Sequence, residues 1–276
     1  IVVVAKSNTG LADSLNIGMG VARGRWIARL DADDYALPDR LARQIAFVER
    51  NPSIVLLGSG CTLVDGRGKR IGDYRYPSQH QALVAHMAAG RSPFPHSSAL
   101  FQREAAIRIG GYNRRFVRCQ DLDLWLRLAT GGEIGSLPNA YVRIRKHVSN
   151  VSNDCTVAST MSMSAIVCHF IRSKGGSDPS QGDDDDAWTR FTNWLTCRME
   201  EGAYIVLQNE WFKIRRGFQS QVASRGRLRA VPTLVRGLLR SGHVWRIIQN
   251  KLFGTRLGSQ LADEWMGGHA QMLYGR

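Results

Sequence analysis

The residues best equipped for chemistry lie in Arg29-Leu30-Asp31-Ala32-Asp33-Asp34, which sets three carboxylates in four positions. They follow directly on Trp26–Leu30, an apolar run that reads as a β-strand. In open α/β sheets, ligands bind at the carboxyl ends of strands. Asp31 and Asp33 alternate with Ala32, so both face one side of an extended turn. Carboxylates are hard oxygen donors suited to Mg2+ or Mn2+, and an ion held by them neutralises a diphosphate leaving group. The plainer reading is that these aspartates cap the helix opening at Pro38; a cap uses one Asp, and three are present.

The elements that must position this turn follow an α/β rhythm. Ile1–Val4 reads as a buried strand. Leu11–Ala22 reads as a helix, with Leu11, Leu15, Met19 and Ala22 on one face and Gly24 as its C-cap. Pro38 opens a second helix with Leu41, Ile45 and Val48 on its apolar face, and Ile54–Gly58 reads as another strand. The pattern predicts a mostly parallel sheet with helices on both faces.

Further segments match a known pattern in order and spacing. Asn8-Thr9-Gly10-Leu11-Ala12, Leu15-Asn16-x-Gly18 and Ala22-Arg23-Gly24-Arg25-Trp26-Ile27 lead into the acidic turn. His96-Ser97-Ser98-Ala99-Leu100-Phe101 comes next, then Gly110-Gly111-Tyr112 and Gln120-Asp121-Leu122-Asp123-Leu124-Trp125-Leu126-Arg127-Leu128. Tyr141-Val142-Arg143-Ile144-Arg145-Lys146-His147-x-x-Asn150 closes the series. Together, over roughly residues 1–152, they resemble a family 2 glycosyltransferase of GT-A (Rossmann-like) fold.

The resemblance implies an inverting transfer of a sugar from a UDP-, GDP- or dTDP-sugar to a saccharide or lipid-linked acceptor, in cell-surface polysaccharide or glycolipid synthesis. It implies Asp31 and Asp33 as the D-x-D site for Mn2+ or Mg2+, with His147 reaching the metal or diphosphate. Asn8, Gly10, Ala32 and Asp34 join Asp31 and Asp33 on the donor side. Asp121 matches the base that deprotonates the acceptor hydroxyl, and His96, Gln120, Trp125 and Arg127 fall on the acceptor side. Family members usually carry Glu-Asp at Gln120-Asp121, so the base is retained without its charged neighbour. Read as residues alone, Asp121 is a cap for the helix it begins, Trp125 and Leu128 are core, and Arg127 pairs with Asp123 one turn away. His96 reads equally as a packed histidine, and His147 as part of a basic surface.

The resemblance also leads to the expectation that roughly two βα units precede Ile1 in the intact protein, including the segment that grips the nucleotide base. Without them the sheet edge is open and the donor pocket incomplete.

The expected division is a transferase domain over 1–152, a connecting helix and polar acidic linker over 153–187, and a basic helical region over 188–276. The net charge is +14, and from Trp188 onward 14 Lys/Arg face 5 Asp/Glu. Between Arg225 and Leu257 there are eight Lys/Arg and no acid, on an amphipathic pattern. That stretch suits an anionic membrane surface, or packing of its apolar stripe on the main domain. The expected location is cytoplasmic, with that region against the inner face of the cell membrane. Asp183–Asp186 lacks the spacing of a calcium loop and reads as solvated. Five cysteines with no C-x-x-C pair argue against a disulfide framework or a zinc ribbon. Two other classes compete: a nucleotidyltransferase on a related scaffold, and a basic module that binds nucleic acid, for which no recognition motif is present.

Overall fold

The computed structural model describes residues 1–146, 155–201 and 256–268, with the isolated positions 214 and 232. These residues fall into two compact units, the first made of Ile1–Met87 with Arg91–Lys146 and the second of Ala88–Gly90 with the described residues after Lys146. The segments singled out around His147 and over most of 225–257 lie outside the described residues.

The first unit runs α1 (Leu11–Val21), β1 (Trp26–Ala28), β2 (Tyr35–Ala36), α2 (Arg40–Arg50), β3 (Ile54–Val64), β4 (Arg70–Tyr74) and α3 (His80–Ala88). A 3₁₀ turn at His96–Ser98 then leads into β5 (Leu100–Gln102), α4 (Arg103–Arg108), α5 (Gln120–Gly131) and β6 (Glu133–Arg145). The strand order is β1-β5-β3-β6-β2, with β4 on β3. Side chains on β5 show helices covering both faces. Leu100 packs with Val48 of α2, Ile54 and Leu57, while the ring of its neighbour Phe101 lies 5.5 Å from that of Trp125 in α5.

The α/β class therefore stands, but two expectations need correction. The sheet is not mostly parallel: β3–β6 is the parallel ladder, and β1–β5, β2–β6, β3–β4 and β3–β5 are antiparallel. The cause is connection length. The chain from β3 to β6 is long enough for helical crossovers, whereas β3 returns at once into β4. That tight return is held by the Asp65 carboxylate, which accepts N–H bonds from Arg67 and Lys69. Ile1–Val4 is not a strand: it has no ladder and is exposed, Ile1 fully and Val4 at 45%.

β6 is long but not straight. Ser59 of β3 pairs with Leu137 and Gly60 with Ala140, so Pro138 and Asn139 are looped out as a bulge, where a missing N–H costs no ladder bond. Gly60 lies beneath it, and a Cβ there would meet the Tyr74 carbonyl at 2.8 Å. Beyond the bulge, Arg143 pairs with Tyr35 of β2, which brings the end of β6 alongside the acidic turn.

The second unit contains α6 (Cys155–Ser173), α7 (Asp185–Glu201) and a helical stretch over 256–268. Their shared core joins Val167 and Ile171, Phe191 and Leu195, and Leu261 and Trp265. Of the acidic run before α7, Asp184 accepts the Ala187 N–H at 2.8 Å, the pattern of an N-cap. No helix of the described residues is long and apolar enough to cross a membrane.

Candidate active site

The acidic turn sits where β1 leaves the sheet, and the carboxylates of Asp31, Asp33 and Asp34 offer oxygens that all lie within 4.8 Å of one another. Three hard oxygen donors at that separation suit Mn2+ or Mg2+. Such an ion, when bound, supplies positive charge against a developing diphosphate.

Four segments hold the turn. Arg29, on its entering side, reaches both carboxylate oxygens of Asp31. Ser97, 1% exposed, accepts bonds from Arg29 Nη1 at 3.0 Å and from the Asp31 N–H at 3.1 Å. Its single hydroxyl proton has two carboxylates within reach, Asp34 being nearer than Asp31. From β6, the Arg145 N–H donates to Asp34 Oδ1 at 2.9 Å, its Nε to the Asp33 carbonyl at 3.2 Å and its Nη1 to the Gly66 carbonyl at 2.8 Å. Its guanidinium also lies over the Tyr35 ring, 5.1 Å from the centroid. From α2, Arg40 donates to the Arg29 carbonyl at 2.9 Å and the Ala99 carbonyl at 3.1 Å, while Gln44 donates to the Ser98 carbonyl at 2.8 Å. Burial, with the charge of Arg29 adding to it, lowers Arg40 to about 10. Asp34 is shifted up, first by burial and then by its acidic neighbours, against the pull of Ser97 and Arg145.

Asp121 occupies the first turn of α5. The N-cap residue before α5, Cys119, has φ 58, a left-handed conformation uncommon outside glycine. Burial raises the Asp121 pKa, opposed by the Leu122 N–H at 2.9 Å and by the Arg29 charge; the Asp31 charge adds to the rise. The base candidate and the acidic turn thus lie within electrostatic reach, with Arg29 acting on both. His96 and Tyr112 stand in the same field. His96 Nε2 and the Tyr112 hydroxyl are 2.8 Å apart. Burial first, then Arg29, holds His96 well below its ordinary pKa, and burial raises Tyr112, so both are uncharged.

The loop carrying Tyr112 is fixed from α1. Asn16 donates to the Tyr112 carbonyl at 2.7 Å and accepts its N–H at 2.8 Å. Gly111, at φ 66, passes so close that a Cβ would meet Asn16 Oδ1 at 2.5 Å.

The other predicted positions fall as follows. Asn8 caps its own turn, accepting the Gly10 N–H at 3.1 Å, and Gly10 enters α1 at φ 93. Ala32 is exposed between the aspartates. Gln120 is buried beside Asp121. Trp125 is fully buried among Phe94, His96, Phe101 and Tyr112, its Nε1 without a hydrogen-bond partner among the described residues. Arg127 bonds to Asp123 at 2.6 Å and to the Ile109 and Gly111 carbonyls at 2.7 Å. Both side chains thus touch the segment that carries Tyr112, Trp125 through its ring and Arg127 through the Gly111 carbonyl. His147 lies outside the described residues. Sequence reasoning assigned no role to Arg29, Arg40, Gln44, Ser97 or Arg145.

Residues 1–110 match the profile of Glycosyl transferase family 2. The amylovoran biosynthesis glycosyltransferase AmsE of Erwinia amylovora is 31% identical over 147 residues, 52% of this chain and 54% of its own length. EpsE of Bacillus subtilis (strain 168) is 37% identical over 144 residues, 51% of this chain and 50% of its own. A UDP-Gal:alpha-D-GlcNAc-diphosphoundecaprenol beta-1,3-galactosyltransferase of Escherichia coli is 25% identical over 169 residues, 60% of each chain. The chain thus spans about half the length of the first two relatives. Among solved structures, a mannosyltransferase of Pyrobaculum calidifontis in complex with GDP-Man and Mn2+ aligns over 92% of this chain and 67% of its own. Its 20% identity and TM-score of 0.41 bear on neither the substrate nor the metal of this chain.

Proposed function

We propose, from the match of residues 1–110 to the Glycosyl transferase family 2 profile, that the protein moves a sugar from a nucleoside-diphosphate sugar to an acceptor hydroxyl with inversion at the anomeric carbon. The observation that carries this reading is the gathering of Asp31, Asp33 and Asp34 within 4.8 Å, in electrostatic reach of Asp121. Displacement with inversion needs an activated hydroxyl on one side and a stabilised leaving group on the other. Asp31, Asp33 and Asp34 would hold Mn2+ or Mg2+, which supplies charge to the diphosphate. Asp121 would take the acceptor proton, and its raised pKa makes it a stronger base than an ordinary aspartate. Neutral His96 and Tyr112 would orient the acceptor without competing for that proton.

The biosynthetic role is supported by relatives named for amylovoran synthesis and for a diphosphoundecaprenol-linked acceptor. A lipid-linked acceptor would bring the reaction to a membrane face, where the basic residues of 225–257 would sit. The division at 152 and 187 belongs to the same proposal.

The test is a screen of UDP-, GDP- and dTDP-sugars for release of nucleoside diphosphate, with Mn2+, Mg2+ or EDTA, on the wild type, Asp33→Ala and Asp121→Asn. Metal-dependent turnover lost in both variants is expected. Turnover that persists in EDTA, or in Asp121→Asn, contradicts the corresponding assignment. Diphosphate release from a nucleoside triphosphate would identify a nucleotidyltransferase instead.

A further inference from the structure

We propose that Arg29 is a resident counter-cation of the acidic turn, and that it limits how tightly the turn takes a divalent ion. The inference rests on reading Asp31, Asp33 and Asp34 as a metal site. It concerns a residue two positions before the first of them, which the alternation of an extended segment places on the same side as Asp31.

The Arg29 guanidinium engages both oxygens of Asp31, the planar fork-to-fork match that arginine makes with a carboxylate. A third bond, to Ser97 Oγ at 3.0 Å, fixes the same end. The residue cannot readily swing away. It is 8% exposed, its N–H donates to the Ala99 carbonyl at 2.9 Å, and its own carbonyl takes the Arg40 bond at 2.9 Å. One of the three carboxylate charges is therefore already offset by a fixed internal cation. A divalent ion approaching the turn is attracted by three carboxylates, repelled by Arg29, and must share Asp31 with it. The turn stays assembled without the ion, because Arg29 and Ser97 hold Asp31 in place, while the intrinsic affinity for the ion is kept down.

The experiment titrates Mn2+ alone into the full chain and follows free Mn2+ by electron paramagnetic resonance. Arg29→Gln, with a wild-type near-ultraviolet circular dichroism spectrum, is expected to bind Mn2+ about tenfold tighter, from loss of one positive charge beside the ion. Arg29→Lys keeps the positive charge but loses the fork, and should bind Mn2+ less tightly than Arg29→Gln; binding as tight as in Arg29→Gln overturns the proposal. Unchanged or weaker binding in folded Arg29→Gln overturns the proposal. A second measurement needs no variant. Mg2+ is titrated into the wild type while the Arg29 Nε–H and Asp33 amide signals are followed by nuclear magnetic resonance. Both are expected to shift with one dissociation constant, and a static Arg29 signal while Asp33 titrates overturns the proposal. If neither ion perturbs the turn in wild type or variants, the metal-site reading itself fails and takes the proposal with it. Ion binding that ignores Arg29 removes the proposal alone.

Discussion

The two halves of the candidate site are held by opposite means. Asp31 and Asp34 are gripped by Arg29, Ser97 and Arg145, with Arg40 and Gln44 fixing the backbone behind them. Asp121 accepts an N–H bond from the next residue of its own helix and is otherwise defined by burial at the start of α5. A dense polar network fixes the position of charge, which suits groups that must not move. Burial with few partners raises a carboxyl pKa, which suits a group that must accept a proton. The acidic turn is held by a polar network, and Asp121 is defined by burial with few partners.

The largest expected effect separates these designs directly. Asp121→Asn should lower kcat/KM by about a thousandfold, in the range for loss of a general base. It should leave Mn2+ affinity unchanged and the melting temperature equal or higher, because a desolvated charge is replaced by a neutral isostere. A fall in Mn2+ affinity would show that Asp121 belongs to the turn.

Ser97→Ala attacks the other half. It removes the one hydroxyl that Arg29, the Asp31 N–H and Asp34 share. Leaving such buried partners unsatisfied costs about 1–3 kcal/mol. Denaturant unfolding should show that loss, together with altered Mn2+ binding. If stability falls while Mn2+ binding is unaltered, the network supports the fold and not the turn.

This network was the part of the site least legible in the sequence. The acidic turn, helix α5 and the late strand β6 could be read from residue order, because clustered carboxylates and long periodic runs carry strong local signals. The holding residues could not, because hydropathy patterns assign arginine and glutamine to the surface. In α2 the predicted face was Leu41, Ile45 and Val48, yet Leu41 is 52% exposed and Arg40 is 2% exposed. The inward stripe is Arg40, Gln44 and Val48, four residues apart, turned toward main-chain carbonyls that no local pattern reveals. Ser97 and Arg145 are far in sequence from Asp34 and meet it only through β5 and β6. The Asp123–Arg127 pair was legible, since its spacing of four brings the two together on any helix. Parallel pairing was overestimated, because strand identity is local and strand direction depends on what each connection can span.

The pH dependence offers the finest test of the contrast. Asp34 and Asp121 are both raised above the ordinary 3.8, mainly by burial. Each folded carboxyl holds its proton more tightly than the unfolded chain does, so ionising it costs stability as pH climbs from 3.8 toward the raised value. The functional readouts should divide. Protonating Asp34 should weaken Mn2+ binding below a pH above the ordinary aspartate range. Protonating Asp121 should lower kcat at saturating metal with no matching change in metal affinity. Asp34→Asn should shift the acid limb of Mn2+ binding to lower pH, because it takes away the ligand whose pKa is raised, and leave that of kcat in place. If one substitution shifted both limbs, the two halves would titrate as a single coupled unit, and the division between a geometric half and a basic half would fail.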